Sequence, residues 1–381
     1  MSDQIKRDVV FLTLTDAKRR SGDYVRMSNI VPKVSLLRST KALSLPGYRE
    51  ESWKVFGKYV YGACKEAARL ILTVGVLLSS RRPVYYTWDW ILARDLALLS
   101  YVKRFDYVLE VNGFHSYESE LNGYFPRGGF IHRMYVVPTE RLAARRAARI
   151  VAVSEPMRRL LSDRYGVAPE KISVATNASD PVTFAYQGPA PMDDRPFTVG
   201  WIGSFQPYHG LQTLVDTARL LRDEGHRLRF LLVGDGPQRP KIEEEIRARK
   251  LNEYFVFAGR VAWEGIPAAL IEAHCCISVP GLTPVSIEYR TVIGITEMKT
   301  YDYMALGKPI VAFDIGDARE VIEGNAIGCV CPPDAVSLAD LLKNMPSRDL
   351  MQMGRNARAL AERTYNWDNT ARDIDFALGA V

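Results

Sequence analysis

At 381 residues the chain is longer than one hydrophobic core usually serves, so two domains are expected, and 47% hydrophobic with 25% charged residues excludes a disordered or fibrous protein. The net charge of +6 is modest but uneven: basic clusters at Lys18-Arg19-Arg20, Arg81-Arg82 and Arg141 to Arg149 point to an anionic lipid surface or a phosphate-bearing substrate rather than to nucleic acid. Five cysteines, odd in number and set in apolar runs, give neither a disulfide framework nor zinc-ligand spacing.

The N-terminus opens polar and runs straight into a strand, without the pattern of a secretory leader. The longest apolar run, 67–78, contains Arg69 and is too short to span a bilayer, so a cytoplasmic protein, at most resting on a membrane, is expected. Residues 9–14 form the continuous apolar run of a parallel strand buried on both faces, and 34–37 is a second, shorter candidate. A helical stretch from about 51 to 78 leads through Pro83 to a strand at 84–87, and a helix at 91–102 precedes a strand at 107–111. A basic amphipathic helix at about 140–149 feeds a strand at 150–154, and a strand at 172–174 leads to Asn177. Strands alternating with helices this regularly make an open parallel sheet with right-handed crossovers.

Residues 187–196, rich in proline, glycine and charge, read as a linker. Beyond it the alternation restarts, with strands at 197–202, 228–233, 256–258, 276–279, 310–313 and 328–331. Helices at 211–223, 240–249, 267–272, 301–306, 338–344 and 350–361 separate and close them, with another led by 318–322. The fold class is α/β: two doubly wound domains, whose strand carboxyl ends are expected to face a shared cleft where such sheets bind ligands.

Chemistry concentrates in the second half. In Lys-Thr-Tyr-Asp-Tyr-Met-Ala-Leu-Gly-Lys-Pro-Ile, 299–310, Gly307 caps the helix and Pro309 forbids its continuation. Asp302 falls in the first turn of the helix read at 301–306, so backbone N–H groups there, with Lys299, can hold a phosphate while the carboxylate meets a ribose diol. Three strand ends carry glycines: Gly203 before Ser204, Gly234-Asp235-Gly236, and Gly259 before Arg260. Each alone is also compatible with an unliganded turn, but three along one edge suit a diphosphate. The spacing departs from Gly-x-Gly-x-x-Gly, which argues against a dehydrogenase. His209 opens the next helix and can reach the same anion, or serve structure only.

These landmarks, in this order, resemble the retaining glycosyltransferases of family 4, which have the GT-B fold. Val153-Ser154-Glu155 resembles the family's valine-serine turn, and Asn177-Ala178-Ser179-Asp180 its Asn-Gly-Val-Asp. Asp302 to Pro309 resembles its Glu-Ala-Met-Ala-x-Gly-x-Pro, followed by Gly316 and Glu320, and Tyr365-Asn366-Trp367 resembles the segment leading the last helix back. The resemblance implies an N-terminal acceptor domain, 1–187, joined by a returning helix at about 366–381, and a donor domain at 195–365 that binds a nucleotide-diphosphate sugar. Asp302 then takes the ribose, and Gly203, Ser204, Gly234, Asp235, Gly236, Gly259 and Arg260 line the donor site.

Ser204 and His209 stand where the family has its diphosphate-binding arginine and lysine, which leaves Lys299 to carry the charge. Gly294 occupies the place of the first of the family's paired glutamates, so contact with the sugar ring falls to Glu288 or Glu297. Asn112, with His115 nearby, stands near the family's acceptor-side histidine. The implied reaction is front-face displacement with helix N-termini and cations, not a metal ion or other cofactor, stabilising the leaving diphosphate. The acceptor, a sugar or a lipid-linked one, is expected near 18–24, Trp88-Asp89-Trp90 and 113–118, where Trp88 and Trp90 suit either sugar stacking or the core. The basic helix suits an anionic membrane surface and a role in envelope polysaccharide or glycolipid synthesis. The alternatives are a catalytically silent nucleotide-sugar binding protein, suggested by Gly294, and a nucleotide-sugar 2-epimerase, against which five thinly spread histidines argue.

Overall fold

In the computed structural model the described residues are 7–13, 22–43, 56–80, 82–121, 128–294 and 297–381; Lys18-Arg19-Arg20, Arg81 and residues 51–55 of the expected helix lie outside them. The chain divides into two compact units, 1–176 with 367–381, and 177–366, so residues 177–194 pack with the second.

The first unit carries β1 (Val9–Leu12), β2 (Thr40–Leu43), β3 (Val84–Thr87), β4 (Asp106–Val111), β5 (Arg149–Ala152) and β6 (Ile172–Val174). They form one sheet in the order β2-β1-β3-β4-β5-β6, every pair parallel. The run at 34–37 is not a strand but the end of helix Gly22–Leu37, and the edge strand is β2, just after it. Met27, Ile30 and Val34 are buried, a spacing of three and four that belongs to a helix face. The basic stretch forms helix Val137–Arg146, and Arg149 already opens β5.

A buried polar network fixes the first unit near the carboxyl ends of its strands. Glu110 on β4 is fully buried and accepts from Arg26 Nε at 2.8 Å and from the Tyr86 hydroxyl. Arg26 also donates to the carbonyls of Ala175 and Thr176, both at 2.9 Å, so every part of its guanidinium is used. Helix Trp367–Gly379 belongs to this unit: Lys33 pairs with Asp368 at 2.6 Å, Arg38 with Asp375, and Thr370 donates to the Thr176 carbonyl at 3.1 Å. Trp90 is a core residue, its Nε1 donating to the Gly113 carbonyl at 3.0 Å and its ring clustered with those of Phe114 and Tyr165, which stack on each other.

The second unit carries β7 (Phe197–Ile202), β8 (Leu228–Val233), β9 (Phe255–Gly259), β10 (Cys275–Ser278), β11 (Ile310–Phe313) and β12 (Gly328–Cys331), in the parallel order β12-β11-β10-β7-β8-β9. The chain winds from β7 to β9 on one side, then crosses to β10 on the other. The switch point of such a sheet, where a crevice opens at the carboxyl ends of its strands, therefore lies between β7 and β10.

Candidate functional site

The loops after β7 and β8 touch backbone to backbone. Gly234 has φ +139°, and a Cβ there would stand 1.9 Å from the Gly203 carbonyl oxygen, a contact only glycine permits. Gly203 N–H donates to Val233 O and Phe205 N–H to Asp235 O, both at 3.1 Å, and Gly234 N–H donates to Gly259 O at 2.8 Å. The three glycine-bearing strand ends thus meet. Two N–H groups of the first loop are spent on these ties; Ser204, exposed, keeps its own without a partner among the described residues. Asp235 accepts from Gly236 N–H at 2.8 Å and lies 3.8 Å from Arg239, while Arg260 is exposed and forms no ion pair among the described residues.

Beside these loops, at the switch point, lies a cluster of charge. Glu297 caps helix Met298–Leu306 from an extended conformation and pairs with Arg290 at 2.5 Å and with Lys299 at 3.6 Å, while Ser278 at the end of β10 donates to its second oxygen. Burial works against its charge, but Arg290, Lys299 and His209 overrule it and hold the carboxyl far below the usual range. Lys299 is 7% exposed; its ammonium lies 5.1 Å over the Trp201 ring and, with Glu297 at 3.6 Å, has no partner within hydrogen-bond distance among the described residues. Burial pulls its pKa down and Glu297 pulls it back up. Two cations against one carboxylate leave the cluster positive, fit for an anion with several acceptor oxygens.

His209 packs edge-on against Trp201, with Nδ1 on the Ser204 carbonyl. Burial first and Lys299 second bring its pKa down to about 4, so the imidazole is neutral near pH 7 and Nδ1–H is the donor to Ser204. It tightens the loop rather than adding a third cation.

Helix Met298–Leu306 begins three residues earlier than expected, which puts Asp302 in its second turn and away from the N-terminal N–H groups. Gly307 ends it at φ +70°, as its residue type requires. Asp302 is 4% exposed and accepts from Ser179 Oγ at 2.7 Å; burial pushes its carboxyl up to about 7 against the pull of that bond. Tyr303 on the same helix receives the Ile202 N–H at 2.9 Å, which fastens the helix to β7.

At Gly294, φ +70°, a Cβ would lie 2.7 Å from the Asp317 carboxylate, so a glutamate there, where the first of the paired motif would stand, would strain the backbone and displace Asp317. Glu288 is exposed on helix Pro284–Ile293, and Glu297 is held by its ion pairs. Asn112 follows β4 and His115 opens helix His115–Leu121; both belong to the first unit. Arg290, Ser278, Trp201 and Asp317 are the participants that sequence reading missed.

Residues 196–346 match the family model described as glycosyl transferases group 1, and residues 63–182 that of glycosyltransferase family 4. An alpha-D-kanosaminyltransferase of Streptomyces kanamyceticus is 28% identical over 178 residues, 46% of this chain and 43% of that protein. The 2-deoxystreptamine glucosyltransferase of the same organism is 32% identical over 151 residues, 37% of this chain and 38% of its own. The matched stretches span less than half the length of these curated relatives. The fold extends further: Anabaena HepE, solved in complex with UDP, superposes with a TM-score of 0.71 at 17% identity, covering 98% of this chain and 100% of that one. Two parallel six-stranded units, the motifs they carry and the matches to both halves agree: the chain belongs to the family 4 glycosyltransferases of GT-B fold.

Proposed function

We propose that the protein moves a sugar from a nucleoside diphosphate sugar to an acceptor, with retention at the anomeric carbon and without a metal ion. The observation that carries this reading is the Lys299 ammonium, buried over Trp201 without a hydrogen-bond partner, next to Arg290 and the joined glycine loops. Glu297 at 3.6 Å balances part of its charge, but a buried ammonium with its hydrogen bonds unmade still costs on the order of 1–3 kcal/mol unless an anion arrives. A diphosphate supplies that anion. As the C1–O bond to the leaving phosphate breaks, negative charge grows on the departing oxygens, and Lys299, Arg290 and the Ser204 N–H stabilise it. The acceptor hydroxyl attacks the same face and gives its proton to the departing phosphate. Asp302 takes the ribose diol, with Ser179 orienting its carboxylate.

HepE, known in complex with UDP and with UDP-glucose, and the transferase names of the relatives support this donor class. The first unit is assigned the acceptor, a sugar or a lipid-linked glycan, through Asn112 and His115. The setting is the cytoplasmic face of envelope glycan synthesis; no helix of the described residues is long and apolar enough to cross a membrane.

A panel of nucleoside diphosphate sugars, run against the full chain with a chelator present, tests the reading by thermal shift. A matching donor at a hundred times its Kd stabilises the fold by about 2.7 kcal/mol. The anomeric configuration of the product, read by NMR, then tests retention. A panel in which no donor moves the midpoint overturns the donor reading, an inverted product removes retention, and activity abolished by chelation removes metal independence. Binding with no turnover of any donor turns the assignment to the silent binding protein, which Gly294 favours.

A further inference from the structure

The first unit holds a second charged cavity, at the edge of its sheet opposite the strand carboxyl ends. Arg7, Arg82, Asp106 and Lys171 sit just before or at the start of β1, β3, β4 and β6; with Arg104 and Arg146 they line a cavity of about 540 Å³. Ligands of doubly wound sheets use the other edge, so this cavity is separate from any acceptor site near Asn112. Five cations face Asp106 and the main-chain oxygen of Val381, which accepts from Arg7 at 3.3 Å. Asp106 is taken by Arg7 at 2.5 Å, and Arg146 donates to Ser100 Oγ at 2.9 Å; Arg82, Arg104 and Lys171 form no ion pair among the described residues. Like charges gathered round a cavity of ligand size repel one another until an anion enters. Of the basic helix, Arg146 alone lines the cavity, since Arg145 donates to the Tyr165 carbonyl and Arg149 to that of Glu170.

The rim of the cavity is apolar and exposed. Arg146 lies 4.3 Å over the ring of Tyr101, which is 65% exposed, and Val102 beside it is 76% exposed. Lys103 donates to the carbonyls of Val76 and Leu77, both at 2.8 Å, and so fastens this loop to the end of helix Phe56–Leu78. That helix leaves Leu70, Ile71, Val74, Leu77 and Leu78 exposed, spacings that fall on one face. A cation-lined cavity bordered by exposed aliphatic and tyrosine side chains matches an amphiphile with an anionic head, not a soluble polar anion.

We propose that the cavity seats the phosphate headgroup of an anionic phospholipid, with Tyr101, Val102, Leu77 and Leu78 resting on the bilayer beside it. The inference does not depend on the sugar-transfer reading, and its test involves no nucleotide. The full chain is sedimented with vesicles of phosphatidylcholine alone and of phosphatidylcholine mixed with phosphatidylglycerol. Binding is expected to the mixed vesicles only and to weaken with salt. Arg104→Gln with Lys171→Gln, both at exposed side chains outside the core, should weaken it by a factor of about five for each cation removed. Val102→Asp should weaken vesicle binding while leaving the thermal midpoint in place. Equal binding to neutral vesicles, no binding to either, or full binding by the double variant overturns the proposal. So does a thermal shift with glycerol phosphate in the absence of vesicle binding, which would assign the cavity to a soluble phosphate.

Discussion

The ionisable groups of the candidate site make separable predictions. Lys299→Met removes a charge that the diphosphate would meet alongside Glu297, so affinity for a nucleoside diphosphate should fall by about 1.5–3 kcal/mol while affinity for the parent nucleoside holds. Calorimetric titration of both ligands checks this, and equal losses would show Lys299 to be structural. Asp302 gives a pH signature. Its folded pKa, about 7, lies above that of an unfolded aspartate, so the folded state holds the proton more tightly and stability falls as pH rises from about 4 to about 7. His209, neutral down to about 4, acts with the opposite sign over part of that window. The slope is therefore read as a difference: relative to Asp302→Asn, the wild type should lose stability across pH 4 to 7, by up to about 1.4 kcal/mol per pH unit, in urea unfolding. A constant difference would mean that the carboxylate is not buried as described.

At the scale of elements, the site depends on loops held within contact of one another. Gly234→Ala would press a methyl group against the Gly203 carbonyl, whereas Gly225→Ala, also at positive φ, meets nothing within 4 Å. Both variants carry the backbone strain, about 1–3 kcal/mol, so only Gly234→Ala should lose further stability and the nucleotide-induced thermal shift. Strands at 197–202, 228–233, 310–313 and 328–331 were legible to the residue, because apolar runs end there at glycine, proline or charge. The run at 34–37 misled because four apolar residues do not separate strand from helix; the spacing of Met27, Ile30 and Val34 does. The start of helix Met298–Leu306 was missed because Glu297 makes no side-chain cap bond and is not a preferred capping residue. Lys299, Asp302 and the three glycine turns could be singled out as candidates, since glycines mark the strand ends and the stretch 299–310 carries a recognisable motif. Arg290 and Ser278 could not: each reaches Glu297 from a different element, a meeting that only tertiary structure creates.

For the molecule as a whole, the proposed donor site and the Arg26–Glu110 ion pair reside in different units. Arg26 and Glu110, 2% and 0% exposed, tie helix Gly22–Leu37 to β4 in the first unit, whereas Lys299, Asp302 and the glycine loops lie wholly in the second. Glu110→Ala would take from the Arg26 guanidinium the carboxylate that balances its charge, and breaking such a buried pair costs about 3–5 kcal/mol. Replacing both, Arg26→Met with Glu110→Leu, removes the charge together with its counterion and should recover most of that loss, because an apolar pair avoids desolvating either ion. Nucleoside diphosphate affinity should stay at its wild-type value in every variant that remains folded. Urea unfolding of the single and double variants, with a calorimetric titration of each, measures both quantities. A double variant no more stable than the single would show that the pair contributes geometry that aliphatic side chains cannot replace. A drop in nucleotide affinity that tracks the stability loss would show the two units folding as one cooperative body.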